Sequence, residues 1–272
     1  MIELSIIIPA YNEEKRIEKC LKRILEYCNE QKWDFEIIIA QDGSNDNTVK
    51  IVQQFTSKNE RIKLLSYKER LGKGGAIKNA MFHATKDYIC FLDVDLSADI
   101  SELKRLLTYK EDYDIILGSR LLRGDLPSIK TTYRTFFSHM YSKFFRILFR
   151  LPIHDPQCGF KLFKRKNVLE LFKEIYTTGF AFDSEVIVKA YWLDLKIKEV
   201  PIIWNYDSGT KVSVLKQIRE MGKDLLLIWY ESHLLWLQNN PVYPQKRGSR
   251  KARLFFAILS LFFKARTQRS FY

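Results

Sequence analysis

The feature that most constrains this chain is the alternation of unbroken apolar runs with helical spacing across its first 120 residues. "LSIII" (4–8) runs into a turn at Pro9, and Glu13–Asn29 then carries apolar residues at Ile17, Leu21, Ile24 and Leu25. "FEIIIAQDGSNDNT" repeats the pattern: an apolar strand, a turn, an Asp46 placed to cap, and a helix with Val49, Val52 and Phe55 on one side. "IKLLSY", "YICFL" and "YDIILGSR" add three more strands, with "GKGGAIKNAMFHAT" between the first two as a glycine turn leading into a helix. Strands apolar on both faces and separated by helices predict a mostly parallel sheet flanked by helices, an α/β fold. In such sheets ligands gather at the carboxyl ends of the strands. Pro9-Ala10-Tyr11, Gln41-Asp42-Gly43, Asp93–Asp99 and Gly118-Ser119-Arg120 all stand there and can converge on one site.

The sharpest chemical signal is "FLDVDLSAD" (91–99), which crowds Asp93, Asp95 and Asp99 at the end of an apolar strand. Two carboxylates on one turn repel each other unless a hard divalent cation lies between them; Mg²⁺ joins one or two carboxylates to substrate phosphates. A solvated turn with a helix-capping Asp is the alternative reading of the same residues. "GKGGA" (72–76) is neither a Walker A loop nor GxGxxG, since Ile77 stands where the third Gly is needed. It reads equally as a phosphate-approaching helix start and as a plain turn. The four histidines show no metal spacing, and no GxSxG occurs.

The net charge of +13 is uneven. Residues 120–166 carry eleven Lys/Arg against two acids, and residues 241–272 carry eight against none. Such zones suit an anionic surface, a membrane or a nucleic acid. Between 131 and 151, His139, Lys143, Arg146 and Arg150 form one helical stripe, while Phe137, Met140, Tyr141, Phe144, Leu148 and Leu151 form another. This is the pattern of an interfacial amphipathic helix, or of a surface helix with its apolar side in the core. The longest apolar run, Leu254–Phe263, is about half of what a span needs. No transmembrane segment or signal peptide is therefore expected, and Cys20, Cys28, Cys90 and Cys158, lacking any paired spacing, read as reduced thiols. The expected division is a catalytic domain at 1–210 and a helical, basic membrane-association region at 211–272.

"SIIIPAYNEE", "QDGSNDNT", "GKGGAIKNA", "FLDVDLSAD", "GSR", "DPQCGFKLF", "GFAFDSEV" and "EVPIIW…SGTKVS" occur in this order. Together they resemble the family-2 inverting glycosyltransferases of the GT-A fold, and more narrowly the polyprenyl-phosphate hexosyltransferases, the dolichyl-phosphate β-glucosyltransferase branch above its mannosyl relatives. The resemblance covers residues 3–230. The QxxRW of processive synthases is missing, since Gln217 is followed by Ile218-Arg219-Glu220-Met221.

The resemblance implies a GT-A (nucleotide-diphospho-sugar transferase) sheet with amphipathic interfacial helices and a helical C-terminal extension. It implies that Pro9, Tyr11, Glu13, Asp42, Lys73 and Gly74 line the donor nucleotide pocket, with Asp42 on the base. Asp93 and Asp95 would hold Mg²⁺ or Mn²⁺ and the diphosphate. Ser97 stands where mannosyl relatives place a metal-binding Gln. Arg120, Arg134 and Ser138 match acceptor-phosphate positions, Asp155, Gln157 and Lys161 lie in the acceptor-side motif, and Lys211 matches a loop lysine that closes on the diphosphate; Asp93, Asp95, Arg120 and Lys211 form the expected catalytic set. The implied reaction moves one hexose, with UDP-glucose as the expected donor, to a polyprenyl or dolichyl phosphate on the cytoplasmic face of a membrane, by a peripheral enzyme. Other donors (GDP-mannose, UDP-GlcNAc), a hydroxyl acceptor, or a non-enzymatic module binding anionic membrane or nucleic acid remain open readings. No nucleic-acid signature is present, so no nucleic-acid partner is expected.

Overall fold

In the computed structural model the described residues are 1–122, 132–205 and 214–239; at 132–136, 214–218 and 233–239 the description is of the backbone alone. In chain order the elements are β1 (Glu3–Ala10), α1 (Ile17–Glu30), β2 (Asp34–Asp42), α2 (Thr48–Thr56), β3 (Ile62–Tyr67), α3 (Lys73–His83) and β4 (Tyr88–Leu92). A 3₁₀ turn (Ile100–Glu102) leads into α4 (Leu103–Leu107) and β5 (Ile115–Ser119). Then come α5 (Thr132–Phe149), β6 (Phe160–Lys164), α6 (Arg165–Glu174), α7 (Phe182–Trp192), β7 (Ile197–Pro201) and α8 (Val214–Asn239).

The seven strands form one sheet in the order β3-β2-β1-β4-β6-β5-β7. All pairings are parallel except those of β6, which runs antiparallel to both β4 and β5. The strand order reverses direction between β1 and β4, the switch point where such sheets open a crevice.

The apolar runs are unbroken because both faces of the sheet are covered. Leu4, Ile6, Ile8, Ile37, Ile39, Cys90 and Leu92 pack on one side with α1 and α4. The alternate residues Ile7, Ile38, Ala40, Ile89 and Phe91 pack on the other with α3, α6 and α7. The four cysteines are all buried and unpaired, and burial pushes their thiols up.

Two expectations change. The compact unit runs from Met1 to Ser232, with His233–Tyr272 forming a second; it extends past residue 210 because Leu225 and Ile228 of α8 are buried in the core. Of the second unit, only the α8 backbone at 233–239 is described.

The apolar stripe read on α5 is in fact two stripes. Phe145 and Leu151 are buried, and Tyr141, Leu148 and Phe149 pack against the same core, with the Tyr141 hydroxyl 2.8 Å from Ser184 Oγ. Met140, Phe144 and Ile147 face solvent, Ile147 at 64% exposure. Among the described residues no helix is long and apolar enough to cross a membrane.

Asp99 has a structural task. Its carboxylate accepts two hydrogen bonds from the Arg23 guanidinium, each 2.9 Å, and caps the 3₁₀ turn through Ser101 N. The bonds from Arg23, ahead of the opposing effect of burial, lower its pKa to about 2. A folded value below the ordinary 3.9 means stability that is full above about pH 4 and is lost as pH falls toward 2. Asp99→Asn is expected to lower Tm at pH 7 by about 2–4 °C, the effect of ~1 kcal/mol at a part-exposed, screened site. Melts of both proteins from pH 7 to 2 should show the gap closing below pH 4.

Candidate active site

The loops after β1 and β2 are laced together. Asn12 N donates to Ser44 Oγ, Glu13 N to Thr48 Oγ1, Glu14 N to Asp46 Oδ2 and Asn45 N to Asn12 Oδ1. Asn12 and Gly43 hold positive φ in these turns. The N-cap position of α2 is Asn47 and not Asp46, whose carboxylate tightens the turn ahead of the helix by accepting from Thr48 N at 2.9 Å. Tyr11 is thereby held at the rim, and the Arg70 guanidinium lies over its ring, 3.7 Å from the centroid. Asp42, at the end of β2, is buried and accepts from Leu71 N and Gly72 N, so it also shapes the loop before α3. The Glu13 carboxylate is paired with Arg16 at 2.7 Å. Burial, with Asp95 and Asp46 adding repulsion, still holds its pKa above the ordinary value.

The start of α3 is not a phosphate cradle. Gly74 N donates to Thr178 O at 2.8 Å and Gly75 N shares the same carbonyl at 3.3 Å. The glycines serve close packing: a Cβ on Gly74 would lie 2.5 Å from Phe182 Cβ, and one on Gly72, at φ +82°, 2.4 Å from Thr178 O. What α3 brings to the site is the Lys73 side chain, whose Nζ lies 2.6 Å from Asp93 Oδ1.

Asp93 and Asp95 follow β4 at the switch point. Burial first, then the Asp93 charge, raises the Asp95 pKa. Asp95 Oδ1 accepts from Ser97 N at 2.9 Å, so Ser97 orients this carboxylate. The pair therefore has unspent negative charge and already draws in an ammonium group, which fits a divalent cation shared with a substrate diphosphate. Among the described residues no group of three or more His, Cys, Asp or Glu side chains converges as a self-sufficient metal centre.

A second cluster stands at the ends of β5 and β7. Arg120 Nε and Nη2 each lie 2.7 Å from the Asp155 carboxylate, and Nη2 also donates to Ser138 Oγ on α5 at 3.2 Å. The guanidinium lies 5.1 Å from the ring centroid of Trp204. Asp155 is fully buried, and burial pushes its pKa up; the charge and hydrogen bonds of Arg120 outweigh that and leave it lowered. Glu199 fixes this turn from β7, accepting from Asp155 N at 2.6 Å and from His154 N at 2.9 Å.

The structure thus joins Arg120, Ser138 and Asp155 in one cluster, and Lys73, Asp93, Asp95 and Ser97 in another. It sets Lys161 apart from solvent. Its ammonium is buried, donating to Asp183 Oδ1 and to Cys158 O at 2.6 Å each, so it supports the site from behind. Gln157 Nε2 reaches Met221 Sδ at 3.8 Å. Lys211 and the Arg134 side chain lie outside the described residues.

Three participants were missed. Asp183 sits in "GFAFDSEV" with nothing in the sequence to separate it from other helix-start acids. Arg70 is one cation among many. Gly159 lies so close to Asp93 that a Cβ there would fall 1.9 Å from Oδ2; the "CG" of "DPQCGFKLF" was its only trace.

The chain is thus a member of the class that pairs a nucleotide-type α/β crevice with an acidic turn. Glycosyl transferase family 2 matches residues 5–172, and the chain belongs to that family. It is a glycosyltransferase. It is 33% identical to the dolichyl-phosphate beta-glucosyltransferase of Dictyostelium discoideum over 84% of this chain and 74% of that protein. It is 30% identical to the Saccharomyces cerevisiae protein of that name, with the same coverage of each. Among solved structures, glucosyl-3-phosphoglycerate synthase from Mycobacterium tuberculosis with Mn²⁺ and UDP-glucose superposes at a TM-score of 0.62, with 17% identity over 83% of this chain and 78% of that one. A Pyrobaculum calidifontis mannosyltransferase with GDP-mannose and Mn²⁺ gives 0.55, with 17% identity over 96% and 81%. These last two likenesses support the mostly parallel GT-A sheet.

Gly159→Ala is expected to keep the fold, since the nearest atoms its methyl would meet all belong to the Asp93 carboxyl group, yet to displace that carboxylate. Turnover should fall by about 10²-fold, the cost of misplacing a site group by about 1 Å, while Tm stays within a few degrees. Steady-state kinetics beside a thermal melt checks both halves.

Proposed function

We propose that this glycosyltransferase moves one glucose, with inversion, from UDP-glucose to a polyprenyl phosphate of the dolichyl type, working as a peripheral enzyme on the cytoplasmic face of a membrane. The observation that carries the reading is the Arg120 guanidinium, aimed by Asp155 and bonded to Ser138 on the inward side of α5, a helix whose opposite side exposes Met140, Phe144 and Ile147. A helix with a phosphate-binding contact on its inward side and a lipid-compatible stripe on its outward side suits an enzyme that works at a membrane on an acceptor with a charged head and an isoprenoid tail. The names of the relatives support the acceptor and the sugar.

The acceptor oxygen attacks the anomeric carbon as the bond from that carbon to the nucleotide diphosphate breaks. A phosphate monoester with a second pKa of about 6 is largely dianionic at pH 7, so no side chain has to remove a proton. This agrees with the state of Asp183, whose carboxylate is held by Lys161. Arg120, whose Nε and Nη2 edge is held by Asp155, supplies positive charge to orient the dianion, and Arg134 is assigned to the same phosphate by resemblance. Asp93 and Asp95 would hold Mg²⁺ or Mn²⁺, whose charge would neutralise the leaving diphosphate. Tyr11 and Asp42 frame the nucleotide end, and Lys211 is assigned to the diphosphate by resemblance.

Arg120→Ala should raise the acceptor KM or lower kcat by about tenfold or more, with donor affinity much less changed, and Lys at 120 should rescue only in part. The rate with a polyprenyl phosphate should rise through an ionisation near pH 6, that of the acceptor phosphate, and the matching free alcohol should be inert. Efficient glycosylation of the alcohol would point to a hydroxyl acceptor and a general base elsewhere.

Membrane contact is assigned to the exposed α5 stripe with its flanking Lys143, Arg146 and Arg150, and to the basic 241–272 segment. Deleting 241–272 removes eight cationic side chains, each worth about 1 kcal/mol near an anionic surface. Sedimentation with anionic liposomes should weaken and become more salt-sensitive, while UDP binding persists. Unchanged sedimentation overturns the anchor role of that segment.

A further inference from the structure

Lys73 occupies a position that helix physics disfavours. It is the first residue of α3, no acidic residue stands in that first turn, and a cation at a helix N-terminus meets the positive end of the macrodipole. The backbone there has little room to move: Gly72 and Gly74 are pressed against Thr178 and Phe182, and Thr178 O takes the Gly74 and Gly75 N–H groups. Only the flexible four-carbon side chain is left to adjust. Its ammonium is drawn instead to Asp93, at 2.6 Å, with Asp183 and Asp95 adding attraction that outweighs the effect of burial and raises its pKa.

Resting on the assignment of Asp93 and Asp95 as metal ligands, we infer that Lys73 is a place-holding cation: it neutralises Asp93 while the site is without metal, opposes metal binding to the enzyme alone, and gives up Asp93 when the nucleotide diphosphate arrives to receive its ammonium. The charge balance gives the reason. Lys73 and Lys161 are two ammonium groups facing three carboxylates, Asp93, Asp95 and Asp183, a net of −1. A divalent ion alone turns this to +1, in a partly buried pocket where like charges repel strongly. A nucleotide-sugar diphosphate, with two negative charges, returns it to −1 and offers the displaced ammonium a partner. Metal and nucleotide therefore bind with positive coupling, and Lys73 is the residue that couples them. By linkage, each tightens the other by the same factor. Lys73 acts on the metal through Asp93 and is a positioning residue in the metal-free state.

The experiment is a Mn²⁺ titration of the full chain, read by loss of the free-ion electron paramagnetic resonance signal, with and without saturating UDP, each corrected by the same titration without protein so that Mn²⁺ chelated by free UDP is subtracted. Lys73→Met is expected to bind Mn²⁺ in the absence of nucleotide at least tenfold more tightly than the wild type. It should also lose most of the tightening that UDP confers. Lys73→Arg, which keeps the charge, should stay as weak as the wild type without UDP, and Asp93→Asn should bind poorly throughout. Lys73→Gln provides a second neutral variant should the Met variant fold badly. Equal or weaker Mn²⁺ binding by a folded neutral variant without UDP overturns the place-holder role. Failure of the wild type to bind Mn²⁺ even with UDP overturns the metal assignment itself, and this inference with it; the two failures are distinct.

Discussion

The mutual repulsion of Asp93 and Asp95 is the constraint around which the crevice is organised. Two carboxylates half-withdrawn from water at the end of β4 raise each other's energy, and the surroundings respond to that. Lys73 comes off the start of α3 to meet Asp93, Ser97 N turns toward Asp95, and Gly159 leaves the space that the Asp93 carboxylate fills. Arg16 sits close enough to both Glu13 and Asp95 to ease a third negative charge. Each response comes from a different element, so the charge problem on one turn fixes the approach of α1, α3 and the turn ahead of β6.

The opposite problem, a cation that must be held still in a part-buried place, is solved by Asp155. Its buried carboxylate is bound by the Arg120 guanidinium and by Arg120 N, while Glu199 fixes the backbone of the turn by accepting from His154 N and Asp155 N. Because β6 runs antiparallel between β4 and β5, the turn ahead of it (155–159) lies beside both the acidic turn and the end of β5. One reversed strand therefore carries Asp155 to Arg120 and Gly159 to Asp93. A fully parallel sheet would deliver that turn to the far edge.

Helix α5 links this chemistry to a surface. Tyr141, Phe145 and Leu148 anchor it in the core, so Met140, Phe144 and Ile147 are held outward on a fixed platform. Ser138, against Arg120, lies on the opposite side of the helix from these three.

The sequence determined the alternation of strand and helix, the parallel sheet and the gathering of Tyr11, Asp42, Asp93, Asp95 and Arg120 at strand ends, because unbroken apolar runs and turn chemistry are local signals. It also determined the acidic turn and the basic zones. Several matters were decided only by the tertiary structure. Periodicity alone could not divide the α5 apolar residues between core and solvent, since both stripes repeat at helical spacing and only the packing of Tyr141 on Ser184 and of Phe145 in the core settles which is buried. "GKGG" is read as a possible phosphate loop until Thr178 O, about a hundred residues away in the chain, is found on its N–H groups. Lys161, placed in the acceptor-side motif by resemblance, is a buried partner of Asp183, and a lysine's surroundings depend on which strands flank it. The pairing of Lys73 with Asp93 belongs to the same kind: charges far apart in sequence choose partners only after packing has fixed their distances.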